Sequence, residues 1–99
     1  MNLVIFGAGE MAHIAYEYFS YDSDFQVIAF VVDDEFALSE EFLGLPLVKR
    51  STFESEYNKS DFSLFVALTA TEMNQDRKRV YEYFKTRNYT FASYISSKA

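Results

Sequence analysis

The stretch that decides the fold is Leu3-Val4-Ile5-Phe6-Gly7-Ala8-Gly9-Glu10-Met11-Ala12. Four consecutive apolar residues without alternation suit a strand buried on both faces, as in a parallel sheet. Gly7-Ala8-Gly9-Glu10-Met11-Ala12 then matches G-x-G-x-x-A. In that pattern the first Gly permits a tight turn, the second lets a phosphate approach the backbone, and the small third residue brings helix and strand together. Met11, Ile14, Ala15 and Tyr18 follow at i, i+3, i+4, i+7, the spacing of one helix face, before Ser20-Tyr21-Asp22-Ser23-Asp24 breaks the pattern.

Working outward, Val27 to Val32 reads as a second buried strand, β-branched at Val27, Ile28, Val31 and Val32, ending at Asp33-Asp34. A polar, acidic loop runs to Leu43. Gly44-Leu45-Pro46-Leu47-Val48 reads as a turn into a short third strand, with Pro46 suited to an edge or a strand start. Ser51-Thr52-Phe53-Glu54 has capping-box spacing, with Phe53 and Tyr57 on one face of the short helix it opens. Phe62 to Leu68 is another buried strand. Thr69 and Glu72 form a second capping box, opening a helix to about Arg87 with Met73, Val80 and Phe84 near one face and Arg77-Lys78-Arg79 mostly outside. Phe91 to Ile95 is a last short strand. The order β-α-β-β-α-β-α-β predicts an α/β fold: a small, Rossmann-like, doubly wound and mainly parallel five-stranded sheet with helices on both faces.

The totals agree with one such domain. The chain has 99 residues, 49% hydrophobic and 19% aromatic, enough to bury a core. Its net charge of −6 opposes nucleic acid or an anionic membrane surface as partner, because both require cations. The absence of cysteine removes disulfides, thiolate metal sites and a cysteine nucleophile. A single histidine argues against structural zinc. Asn2 to Phe6 is too short for a signal peptide, and no stretch reaches the ~20 apolar residues of a membrane helix. The expected location is the cytoplasm.

In open α/β sheets ligands bind beyond the C-terminal strand ends, where the strand order reverses. This selects three loops: Gly7, Ala8, Gly9, Glu10 and Met11; Asp33 and Asp34; and Leu68, Thr69, Ala70, Thr71 and Asn74. Free N–H groups and the helix dipole at the first loop favour an anion. Glu10 stands beside that anion site, or caps the dipole itself. Asp33 lies near the usual ~20-residue separation for a carboxylate that accepts ribose hydroxyls. Thr69 and its neighbours can hydrogen-bond a ligand, although capping alone explains Thr69 and Glu72. His13 reads as a surface residue paired with Glu17 at i+4, not a general base, and the aromatic residues read as core.

At these loops the chain resembles the N-terminal domain of bacterial sugar O-acyltransferases, a group including sialic-acid O-acetyltransferases and UDP-aminosugar N-acetyltransferases. The resemblance is carried by Leu3 to Gly9, Ile28 to Asp34, the Gly44 to Val48 turn, Phe65 to Leu68 with the helix through Arg77, and Tyr94 to Ala99. It implies that residues 1–99 hold the nucleotide part of a nucleotide-linked sugar, the glycine loop facing the phosphates and the acidic pair facing the nucleoside. It implies no catalytic residue and no cofactor in this domain. A left-handed β-helix outside these residues would bind acetyl-CoA, form a homotrimer and supply the catalytic histidine. Some aminosugar members carry glycine and histidine where this chain has Glu10 and Met11. Two other readings use the same residues: an NAD-binding domain of an oxidoreductase, with Asp33 selecting NAD over NADP, and a structural domain that binds nothing.

Overall fold

A computed structural model of the chain describes residues 1–37, 39–67 and 70–92, with backbone alone for 70–77. The elements in order are β1 (Asn2–Phe6), α1 (Glu10–Tyr21), β2 (Gln26–Val32), a 3-10 turn (Asp34–Phe36), β3 (Glu41–Phe42), β4 (Leu45–Lys49), α2 (Arg50–Glu56), a second 3-10 turn (Lys59–Asp61), β5 (Ser63–Val66) and α3 (Ala70–Lys85).

The sheet runs β3-β4-β2-β1-β5. β1 pairs in parallel with β2 and β5, and β2 with β4, while β3 is antiparallel to β4. The chain therefore moves from β1 outward to β4, then returns to the other side of β1. That return is the topological switch point, and the β1–α1 loop lies at it. The expected Rossmann-like α/β sheet is present.

Successive strand residues face opposite sides, and the core divides accordingly. Leu3, Ile5, Val27 and Phe30 pack against Ala12, Ala15 and Phe19 of α1. Val4, Phe6, Val31, Leu64 and Val66 pack against Phe53 of α2 and Val80 and Phe84 of α3. A register shift between Leu3 and Val4 leaves Ile28 of β2 without a partner in β1. This bulge keeps Phe30 beside Ile5 and Val31 beside Phe6, so both strands present matching sides to each helix layer. Phe53 is completely buried among the rings of Tyr57, Phe62, Phe84 and Tyr89.

Three local expectations are corrected. First, α1 buries Ala12, Ala15 and Phe19, whereas Met11 and Ile14 are exposed and Tyr18 is half-buried. Two alanines let the helix approach the sheet closely, with Phe19 as its large anchor, so the apolar period of the bulky residues marks the neighbouring arc. Second, β3 forms where a polar loop was expected and completes the five described strands. Leu43 and Gly44 both have positive φ, 53° and 80°, as in the two-residue hairpin turn that matches strand twist. The Phe42 ring stands edge-on to Phe30 at 4.8 Å. Phe91 makes a single parallel bridge to Leu64, and Ser93 onward lies outside the described residues. Third, α2 begins at Arg50 with Lys49 as N-cap and no side-chain capping bond, so Ser51 and Glu54 form no capping box. The Thr69–Glu72 pair falls outside the described side chains.

Candidate functional site

The two glycines of the first loop do different work. Gly7 has φ +136°, and a Cβ there would lie 2.6 Å from the carbonyl oxygen of Ala67 at the end of β5. Its N–H donates to the Val31 carbonyl at 2.7 Å. Gly7 thus closes the junction between β1, β2 and β5, and its amide serves the fold rather than a ligand. Ala12, the third position of the motif, is fully buried, as close helix–strand packing requires.

Gly9 is the N-cap of α1, extended at φ −115°, with no side chain capping the helix. A Cβ there would meet nothing within 4 Å. Intrahelical bonding starts with the His13 N–H donating to the Gly9 carbonyl at 3.1 Å. The N–H groups of Glu10, Met11 and Ala12 precede it and have no partner within the helix. Glu10 and Met11 are exposed at this end. The open space and these amides, which have no partner among the described residues, lie together at the switch point.

The acidic pair after β2 is less free than its sequence suggests. Asp34 accepts two hydrogen bonds from Ser51, from the hydroxyl to Oδ2 at 2.8 Å and from the backbone N–H to Oδ1 at 3.1 Å. Asp34 therefore supplies the cap that α2 lacks locally. The Ser51 hydroxyl first, then its N–H, hold the Asp34 carboxyl below its ordinary pKa.

Asp33 is largely buried and lies between two arginines: Arg50 Nε is 3.2 Å from Oδ1 and Arg79 Nη2 is 3.4 Å from Oδ2. The Arg50 contact has ion-pair distance without hydrogen-bond direction, so the buried Oδ1 has no directed hydrogen bond. Arg50 also lies 4.7 Å from the centre of the Tyr83 ring on α3. Asp33, Asp34, Glu35, Arg50 and Arg79 line an open depression of about 450 Å³ beyond the end of β2. A similar depression of about 430 Å³, lined by residues including Lys59 and Tyr89, sits among segments at the opposite strand ends.

Of the expected site residues, Gly7 to Met11 and Asp33 with Asp34 stand at neighbouring strand ends. Ala70, Thr71 and Asn74 belong to the first turns of α3, with side chains outside the described set; Leu68 and Thr69 lie outside it entirely. Arg50 and Arg79 were missed as site residues. Arg79 sits in a charged run that reads as a solvated helix face, and nothing local in the sequence links either arginine to Asp33. His13 pairs with Glu17 at 2.8 Å on the exposed side of α1, as its spacing predicts. Among the described residues, no group of three or more His, Cys, Asp or Glu is placed to hold a metal ion, and no helix is long and apolar enough to cross a membrane.

The profile of the PglD N-terminal domain family matches residues 2–84. The chain belongs to that family. Membership agrees with the resemblance carried by the glycine loop, β2 and the Gly44 turn. Among solved structures, the fold matches the acetyltransferase domain of PglB from Neisseria gonorrhoeae FA1090 with a TM-score of 0.69 and 18% sequence identity. That match covers 89% of this chain and 40% of the other. The chain thus spans less than half of that acetyltransferase domain. No curated protein matches the chain.

Proposed function

We propose that this PglD-type N-terminal domain holds a nucleotide-linked sugar for a cytoplasmic, acetyl-CoA-dependent sugar acyltransferase. The diphosphate sits on the bare amides of Glu10 and Met11 beside Gly9, with the α1 dipole behind them. The nucleoside extends toward the depression beyond β2 that Asp33 and Asp34 line. The domain binds and positions the substrate and contributes no catalytic residue. Acetyl-CoA, the general base and a trimeric β-helix belong to the part of the enzyme beyond this domain.

The observation that carries this reading is Gly9, an N-cap with open space where a side chain would stand, at the switch point of a sheet whose family is that of the PglD N-terminal domain. Calorimetric titration with a UDP-linked amino sugar, and separately with NADH, tests it. Saturable heat with the UDP-sugar, weakened at least tenfold by Gly9→Val (about 1.4 kcal/mol), is expected. Tight NADH binding with no UDP-sugar signal would replace the proposal with a dinucleotide site.

A further inference from the structure

α2 and α3 share the core formed by Phe53, Val80 and Phe84, and a polar seam joins the two helices beside it. Arg50 and Glu54 stand four apart on α2, and Arg79 and Tyr83 four apart on α3, so each pair shares a helix face. Arg87 follows four residues after Tyr83, just past the end of α3. Tyr83 is the middle of the seam. The guanidinium carbon of Arg50 lies over its ring at 4.7 Å from the centre, and that of Arg87 at 3.6 Å. Burial first, then the hydrogen bond that its hydroxyl donates to Glu54, raises the Tyr83 phenol above its ordinary pKa. Groups on both helices therefore hold this one ring in place.

The seam ends at the depression beyond β2. Arg50, whose guanidinium lies over Tyr83, also brings Nε to 3.2 Å from Asp33 Oδ1. An ion pair alone holds a long side chain weakly, because ordering that side chain offsets the modest Coulomb gain. A planar guanidinium can take a carboxylate and an aromatic ring together, and the ring then supplies the order that the ion pair lacks. Asp33 needs that partner. Its side chain is only 16% exposed, and a charge so far from water is costly unless compensated. β1 and β2 are adjacent strands, so an uncompensated carboxylate at Asp33 would also oppose phosphates on the first turn of α1.

Resting on the nucleotide-sugar reading above, we propose that Tyr83 is a positioning residue of the site: it holds Arg50 against Asp33 and so keeps the nucleoside end neutralised for an anionic ligand. Tyr83 is not among the residues that line the depression. It acts through Arg50, with Glu54 and Arg87 keeping the ring in place.

The test uses the full chain, isotopically labelled, with a UDP-linked amino sugar as probe. The side-chain Nε–H resonance of Arg50 should carry a ring-current shift that Tyr83→Phe keeps and Tyr83→Leu removes. Tyr83→Leu should weaken the UDP-sugar about fivefold, and Tyr83→Phe less than twofold. In an Arg50→Gln background Tyr83→Leu should add less than twofold, since a residue acting through another loses its effect once that other is gone. Circular dichroism checks that each variant folds, and Tyr83→Met takes the place of the leucine variant if that one unfolds. An Arg50 resonance indifferent to loss of the ring would overturn this inference alone. So would equal weakening with and without Arg50, or a phenylalanine variant as weak as the leucine one. A wild-type chain that does not bind the UDP-sugar while the Arg50 resonance responds as expected would instead overturn the reading of the site, and the role of Tyr83 in binding with it.

Discussion

The two glycines of the β1–α1 loop should respond very differently to the same methyl group. Gly7→Ala places an L-residue at φ +136°, a conformation that costs about 1–3 kcal/mol. It also sets a Cβ 2.6 Å from the Ala67 carbonyl oxygen, which backbone at the end of β5 must move to relieve; such overpacking adds about 1–3 kcal/mol. The Val31 hydrogen bond to the Gly7 amide is strained by the same movement. A combined loss of about 3 kcal/mol or more is expected, lowering Tm by about 12–24 °C for a domain of this size. Gly9→Ala meets open space at an extended φ of −115° and should cost no more than about 1 kcal/mol, since alanine is only a poorer N-cap. Thermal and urea unfolding followed by circular dichroism measure both. Equal losses for the two variants would refute the division of labour between a fold-closing and a site-opening glycine.

Phe53→Ala removes a fully buried ring from the α2–α3 layer and should cost about 3–5 kcal/mol in urea unfolding, with Tyr57, Phe62 and Tyr89 losing their common neighbour. Asp34 has a folded-state pKa below its unfolded value, so its contribution to stability is complete above the unfolded pKa and is lost as pH falls through the folded one. Asp34→Asn should therefore lower stability at neutral pH and flatten the stability curve below about pH 4; an unchanged acid limb would show that the Ser51 hydrogen bonds do not couple to folding.

The parallel frame was legible because β1 and β2 are unbroken apolar runs, and because a glycine turn and a helix follow the first of them. The loops of the candidate site were read from the same residues. What escaped the sequence depends on partners distant in the chain. β3 is two residues long, too short for any period, and is held by the Phe42–Phe30 contact and a turn in which Leu43, not Asn or Gly, takes positive φ. The α2 cap comes from Asp34 rather than from Ser51 and Glu54, since a carboxylate across the loop reaches the helix start first. The buried arc of α1 includes Ala15 as expected, but size and apolarity pointed to Met11, Ile14 and Tyr18 where close approach selected Ala12 and Phe19. The arginine pair on Asp33 joins three elements, and no local pattern encodes such a junction.

Backbone amide shifts during addition of a UDP-linked amino sugar offer the most direct test. Saturable movement of the Gly9, Glu10 and Met11 resonances, accompanied by Asp33, is the predicted outcome. Resonances at that helix start staying fixed at concentrations that saturate any other region would contradict a phosphate resting on the first turn of α1.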